Sequence, residues 1–160
     1  MWSVSAIPRH SFISWLAFRN RLATGGRKLH WGYLGTTACV FCRGCQESRN
    51  RSFFHCFFTR RVWKELLKCC LVRNPIIVWD EIVNWGIKTA EAEASVLPCV
   101  GFALWAAIYH VCLERNARLH GGQFTSKDNI VLAIRLEVGA RMLAKGNYCN
   151  SVLNRVLYYN

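Results

Sequence analysis

Apolar side chains recur at helical spacing along most of the chain, and they rarely alternate as they would in a strand. Steps of four residues from Phe58 to Cys70 predict a helix over residues 57–70. The same steps from Ile130 to Met142 predict another helix near the carboxyl terminus. We therefore expect an all-α fold, a small helical domain around a cysteine-rich loop that holds any strand content.

Proline, glycine and polar residues predict where these helices begin and end. Pro8 can open a first helix, and Gly25-Gly26 would stop it. Thr125 lies three residues before Asp128, which is the spacing of a capping box. The other predicted segments are a short helix over 27–33, the cysteine-rich loop 39–56, a break at Asn74-Pro75, a short helix near Trp79, a polar connector over 89–93, a long and mostly buried helix over 96–120, and a final turn over 151–158.

The chain of 160 residues is long enough for one compact domain with a sizeable core. Its net charge of +12 is unevenly distributed, because residues 1–73 carry 13 Lys and Arg against two acids. Residues 74–160 carry eight against seven. We therefore separate a basic region, 1–73, from a helical extension, 74–160, packed with it as one domain. A one-sided excess of this kind favours a polyanion such as nucleic acid.

Two apolar segments bear on the compartment. Residues 12–18 are too short for a secretory signal, and Arg19 and Arg21 follow directly, so we expect an intracellular protein, in nucleus or cytoplasm. Residues 94–113 carry no formal charge and are long enough to span a bilayer. They lack aromatic anchors at both ends, which favours a buried central helix. A small membrane-associated protein remains an alternative reading.

Nine cysteines in a reducing compartment are more often metal ligands or small core residues than disulfides. Cys39 and Cys42 form a C-x2-C pair, which can occupy two corners of a zinc tetrahedron. Cys56 follows 14 residues after Cys42, with Cys45 in between and His55 adjacent. We expect the remaining thiols to be core residues, namely Cys69, Cys70, Cys99, Cys112 and Cys149.

Several stretches together resemble the plant reverse-transcriptase zinc-binding domain, which follows the polymerase in LINE-type non-LTR retrotransposons. The stretches are residues 7–25, Trp31-Gly32, Cys39 to Cys42, Glu47 to Arg49, Phe53-Phe54, Cys56 and Val62 to Leu66, with a weaker tail at Tyr109-His110 and residues 115–120. The resemblance implies a zinc-binding, nucleic-acid-binding, non-catalytic fragment of a retroelement polyprotein.

The family's ligand pattern resembles C-x2-C-x8-H-x4-C, and Arg51 stands where it implies histidine. A guanidinium stays protonated and cannot ligate zinc. Cys45 or His55 could supply the fourth ligand at a different loop geometry. Cys112 also stands where the family resemblance implies tryptophan, so a decayed structural relic without metal or partner is an alternative. We predict one zinc ion, with Cys39, Cys42, Cys45 and Cys56 as its ligands.

Catalytic chemistry is not expected, because the chain has only two aspartates and no cluster of carboxylates for magnesium. We expect RNA or DNA to bind with little sequence preference, and no small-molecule substrate or membrane partner. Phe41, Phe53 and Phe54 are the candidate base-stacking residues, whereas Trp15, Trp31, Trp63 and Trp105 are expected in the core. The predicted nucleic-acid-binding residues are Arg27, Lys28, Arg43, Arg49, Arg51, Arg60 and Arg61.

Overall fold

The computed structural model describes residues 8–72, 76–91, 97–146 and 150–158, and the side chains of most of them. Within these residues the secondary structure is helical, and the one β feature is an isolated antiparallel bridge between Ala38 and Gln46. The helices are α1 (Pro8–Phe18), α2 (Gly25–His30), a π-helical turn (Arg51–His55), α3 (Phe57–Cys69), α4 (Trp79–Glu91), α5 (Leu97–Leu119), α6 (Lys127–Lys145) and α7 (Asn150–Tyr158). The predicted all-α class is confirmed.

Helix α5 is the centre of the fold. Helices α1, α3, α4 and α6 all pack against it, and α7 packs against α6 and α3. Its residues from Cys99 to Cys112 are mostly buried, as a helix that is apolar on every side requires. The predicted burial is therefore confirmed for Cys99 to Cys112, whereas Leu113 and Leu119 further along the helix are exposed. No helix in the described part of the chain is both long enough and apolar enough to cross a membrane.

An aromatic cluster joins α3 to α4. The Phe54 ring lies 5.5 Å from the ring of Trp63 and 5.4 Å from that of Trp79, centroid to centroid. The indole N–H of Trp63 donates a hydrogen bond of 2.8 Å to the carbonyl of Ile76. Both tryptophans are fully buried, so the core is continuous from α3 to α4.

Several predicted helix ends were wrong. Gly25-Gly26 begins α2 and does not stop α1, which ends earlier at Phe18. The N-cap of α6 is Ser126, whose hydroxyl accepts from the amide of Asn129, so Thr125 is not the cap. The first part of the predicted polar connector, residues 89–91, continues α4. The predicted break at Asn74-Pro75, residues 92–96 and Cys149 lie outside the described residues.

Candidate metal centre

The cysteine-rich loop is a tight hairpin with the C-x2-C pair at its tip. The amide of Cys39 donates to the carbonyl of Cys45 at 2.8 Å, and the amide of Glu47 donates to the carbonyl of Thr37 at 2.8 Å. The tip closes with a bond of 2.7 Å from the Arg43 amide to the Cys39 carbonyl. Arg43 has a φ of 53°, a left-handed conformation that lets the chain turn back directly after Cys42.

Cys56 reaches this tip because a π-helical turn and α3 position it. Phe53 and Phe54 in the turn are buried in the core, which anchors the segment that leads to Cys56. Cys56 is the N-cap of α3, with an extended backbone conformation. The Sγ atoms of Cys39, Cys42 and Cys56 all lie within 4.8 Å of one another. Three of the four predicted ligands are thus brought together.

The two buried thiols of this group, Cys39 and Cys56, share a hydrogen bond that separates their pKa values. The hydrogen bond with Cys56, together with burial, raises the pKa of Cys39 well above its ordinary value. The hydrogen bond from Cys39, helped by the backbone N–H groups of Phe58 and Thr59, lowers the pKa of Cys56 to about 7 although burial opposes this. A pKa near 7 makes the thiolate of Cys56, the form that ligates metal, much more accessible at neutral pH than that of an ordinary cysteine.

The geometry of the three thiols fits zinc. With Zn–S bonds of about 2.3 Å, the sulfurs of a tetrahedral site are separated by about 3.8 Å, which small side-chain adjustments from the observed grouping can reach. Backbone N–H groups directed at Cys39 and Cys56 match the support that metal-bound sulfurs receive. The thiols of Cys39, Cys42 and Cys56 would hold the ion.

The fourth predicted ligand, Cys45, is not in this group. Its side chain is exposed, while its carbonyl is used by the amide of Cys39. His55 is exposed at the end of the π-helical turn and is likewise outside the group of three. Arg51 begins that turn. A ligand role for Cys45 therefore stays a prediction.

The predicted core thiols differ from these three in their surroundings. Burial raises the pKa of Cys112 to about 12, and burial also raises that of Cys69. The Sγ atoms of Cys70 and Cys99 lie 3.2 Å apart in the core, and this contact and burial raise the pKa of Cys70. Neutral buried thiols of this kind act as small apolar residues.

A buried carboxylate anchors the cysteine-rich loop to helix α5. Glu47 is only 2% exposed and accepts bonds of 2.6 Å and 2.7 Å from the guanidinium of Arg115 in α5. Its second oxygen also accepts the amide of Gly25 at 2.7 Å. Burial alone would lower the pKa of Arg115, but Glu47 reverses this and raises it. The sequence analysis did not predict this ion pair. The feature that could have indicated it is the isolation of Glu47, which is the only acidic residue before Glu65.

A second arginine in α5 fixes the phenylalanines beside the loop. The guanidinium of Arg118 lies over the rings of Phe41 and Phe58, at 5.0 Å and 4.4 Å, and donates to Glu114 at 2.7 Å. The rings of Phe41 and Phe58 are stacked at 5.1 Å. Phe41 is therefore occupied within the fold, and the stacking role predicted for it loses its support.

The stacking role predicted for the other two phenylalanines was wrong, because Phe53 and Phe54 are buried. The prediction of a core position for Trp31 was also wrong, since 60% of that side chain is exposed. Trp15 is exposed too, whereas Trp63 is buried and Trp105 is partly buried against the core. Trp15 lies within α1 and Trp31 at the end of α2, and the sequence pattern does not show that either side chain faces solvent.

The predicted nucleic-acid-binding residues differ in their exposure to solvent and in their contacts with rings and carboxylates. Arg43, Arg60 and Arg61 are exposed, and Arg51 is half-buried. The Arg49 guanidinium lies 4.5 Å from the Trp79 ring and 4.0 Å from a carboxylate oxygen of Asp80. Burial lowers the pKa of Arg49 against the opposing effect of Asp80. Arg27 and Lys28, in α2, lie over aromatic rings that are themselves exposed.

Comparison with known proteins supports the identity of this centre. Residues 1–63 match the family described as zinc-binding in reverse transcriptase, zf-RVT. The matched segment contains Cys39, Cys42 and Cys56 and ends within α3. The chain has no significant match among curated proteins or solved structures.

Proposed function

We propose that this protein is a non-catalytic module of a reverse-transcriptase-related element, holding one zinc ion and binding RNA or DNA through its basic region. The observation that carries the proposal is the grouping of three thiols within 4.8 Å inside the segment that matches a zinc-binding family. When bound, zinc would cross-link the loop tip to the start of α3. In a LINE-type polyprotein the module would hold template RNA or target DNA near the polymerase.

The distribution of exposed charge supports nucleic acid as the partner. The sequence has no acid before Glu47, and that carboxylate is buried against Arg115. Arg49 lies near Asp80 and Lys68 pairs with Glu65, but Arg43, Arg60 and Arg61 are exposed and outside these pairs. Phosphate contacts from such Lys and Arg dominate nucleic-acid affinity and carry little sequence information.

Zinc content tests the metal part of the proposal. The purified protein should contain one zinc per chain by elemental mass spectrometry. Cys39→Ser, Cys42→Ser and Cys56→Ser should each lower that content strongly. Cys112→Ala removes a buried thiol far from the loop in sequence and should leave it unchanged, which makes it the matched control. Protein purified in the presence of zinc that contains none would support the decayed relic instead.

The salt dependence of binding tests the nucleic-acid part. Neutralising Arg43, Arg60 and Arg61 together should weaken binding of a short RNA and reduce the slope of log affinity against log salt by up to about three. The control changes the same number of cations in the balanced half, namely Lys127, Lys145 and Arg155. Equal effects of the two triple variants, or no binding at low salt, would contradict a basic-region interface.

A further inference from the structure

The segment that follows α2 presents two aromatic rings to solvent on a defined turn. The amides of Trp31 and Tyr33 both donate to the carbonyl of Lys28 at 3.0 Å, and Gly32 has a φ of 79°. These bonds fix the chain direction directly after the helix. Trp31 and Tyr33 are both exposed, and Leu34 beside them is 99% exposed.

Each of these rings already has a cation on it. The guanidinium carbon of Arg27 lies 5.4 Å from the Trp31 ring, and Nζ of Lys28 lies 5.4 Å from the Tyr33 ring. Arg27 also donates to the carbonyl of Asn20, which holds its head group in place. The two rings therefore keep a preferred orientation, and each has a positive charge within reach of a phosphate.

The backbone at Gly35 supports the Tyr33 ring. A Cβ atom built on Gly35 would lie 2.3 Å from the hydroxyl oxygen of Tyr33 and 2.6 Å from a ring carbon. The ring thus packs directly on the glycine backbone, and a larger residue at this position would displace it. Because the two aromatic residues are separated by one position, their Cα atoms are at most roughly 7 Å apart, close enough to serve neighbouring nucleotides.

We propose that Trp31 and Tyr33, with Arg27 and Lys28, form a stacking platform for single-stranded nucleic acid. This platform rests on the proposed function and assigns its base contacts to residues other than Phe41, Phe53 and Phe54. Aromatic faces stack on any unpaired base, while the adjacent cations contact the backbone phosphates. Bases in a duplex are already stacked, so the platform should discriminate single strands from duplex.

An anionic membrane is the other surface that aromatic and basic residues suit. Helix α2 has only six residues, of which Arg27, Lys28 and His30 are polar. An interfacial membrane helix needs an apolar face sustained over several turns, which α2 lacks.

The test measures binding of the zinc-loaded full chain to a fluorescent RNA 15-mer and to a duplex of equal length. Trp31→Ala and Tyr33→Ala should each weaken single-strand binding at least about fivefold and change duplex binding less than twofold. Trp31→Phe should restore most of the loss. Tyr158→Ala removes an aromatic residue in the other half that is even more exposed, and it serves as the control. Zinc content and circular dichroism should be unchanged in every variant.

The outcomes separate the platform from the module's general function. If wild-type protein binds both nucleic acids and the Trp31 and Tyr33 variants bind as well as wild type, the platform is overturned and the basic-region interface stands. If wild-type protein binds neither nucleic acid, both proposals fail. Binding to phosphatidylserine vesicles that Trp31→Ala abolishes, without RNA binding, would assign the platform to a membrane and overturn the proposal.

Discussion

Glu47 and Arg115, 68 residues apart in sequence, form a two-bond ion pair that joins the cysteine-rich loop to the central helix. Glu47 lies in the segment that matches the zinc-binding family, and Arg115 lies well beyond it. The same guanidinium also donates to the carbonyl of Ala23 at 2.8 Å, just before α2. The geometry of the loop therefore depends on α5, so residues 1–63 are not structurally independent of the rest.

Breaking this pair should be costly. Glu47→Ala leaves the Arg115 charge buried without its partner, and we expect the free energy of unfolding to fall by about 3–5 kcal/mol. Glu65→Ala removes the carboxylate of a surface pair with Lys68 and should cost less than about 1 kcal/mol. Urea denaturation of both variants measures the difference. Similar losses in the two variants would show that the Glu47 pair is no stronger than a surface contact.

Two glycine-to-alanine substitutions should change the free energy of unfolding in opposite directions. A Cβ atom on Gly25 would lie 2.4 Å from the backbone oxygen of Thr37, which cannot easily move because it accepts the Glu47 amide. Gly25→Ala should therefore destabilise the fold by about 1–3 kcal/mol. At Gly101, inside α5, a Cβ atom meets nothing within 4 Å, so Gly101→Ala should stabilise it by about 0.5–1 kcal/mol. Thermal unfolding of the two variants should shift in opposite directions.

Glu137 should make stability depend on acid pH. Burial would raise its pKa, but the contacts with His10 at 3.0 Å and His110 at 3.2 Å outweigh this and lower it to about 2. A lowered carboxyl pKa stabilises the folded state above the unfolded value of about 4.3, and that contribution is lost as pH falls toward 2.

The measurement compares wild type with Glu137→Gln by urea denaturation between pH 6 and pH 2. The stability difference should be largest at pH 6 and should shrink below about pH 4. Any effect of acid on the cysteine-rich loop is common to both proteins and cancels in the difference. A difference that stays constant across this range would mean that the carboxylate gains nothing from the two histidines.

The parts that sequence patterns predicted well are those with strong apolar periodicity. The stripes in α3 and α6 followed directly from spacing, because each helix must bury its apolar face, and the burial of α5 followed from its uncharged sequence. The three-thiol group followed from the C-x2-C pair and Cys56. Helix ends were less predictable: Gly25 begins a helix because its amide bonds Glu47 and its hydrogen atom fits against Thr37, both long-range contacts.

The roles of aromatic residues could not be predicted from composition. Phe53 and Phe54 resemble an exposed basic-aromatic loop in sequence, yet a π-helical turn rotates both into the core against Trp79. Trp31 resembles a core residue, yet the turn at Gly32 leaves it outside. Only the tertiary packing of α3 and α4 around the loop decides which rings remain available to a partner.

Position 51 offers the sharpest test of the metal site. Arg51 stands where the resemblance implies a histidine ligand, in the turn that ends at Cys56. Arg51→His adds a neutral imidazole that can ligate zinc, so affinity should rise as the site gains a fourth protein ligand. Competition with a chromophoric chelator measures the change, and Arg51→Gln controls for loss of the charge alone.

The companion variant Cys45→Ser identifies the ligand that the wild-type protein uses. If Cys45 completes the site, Cys45→Ser should weaken zinc binding in the wild-type background but much less in the Arg51→His background, where the imidazole replaces it. Arg51→His without effect, together with loss of zinc in Cys45→Ser, would show that Cys45 already closes the tetrahedron. If neither substitution changes the affinity, the three thiols of Cys39, Cys42 and Cys56 hold the ion without Cys45, with a non-protein fourth ligand as in an open site.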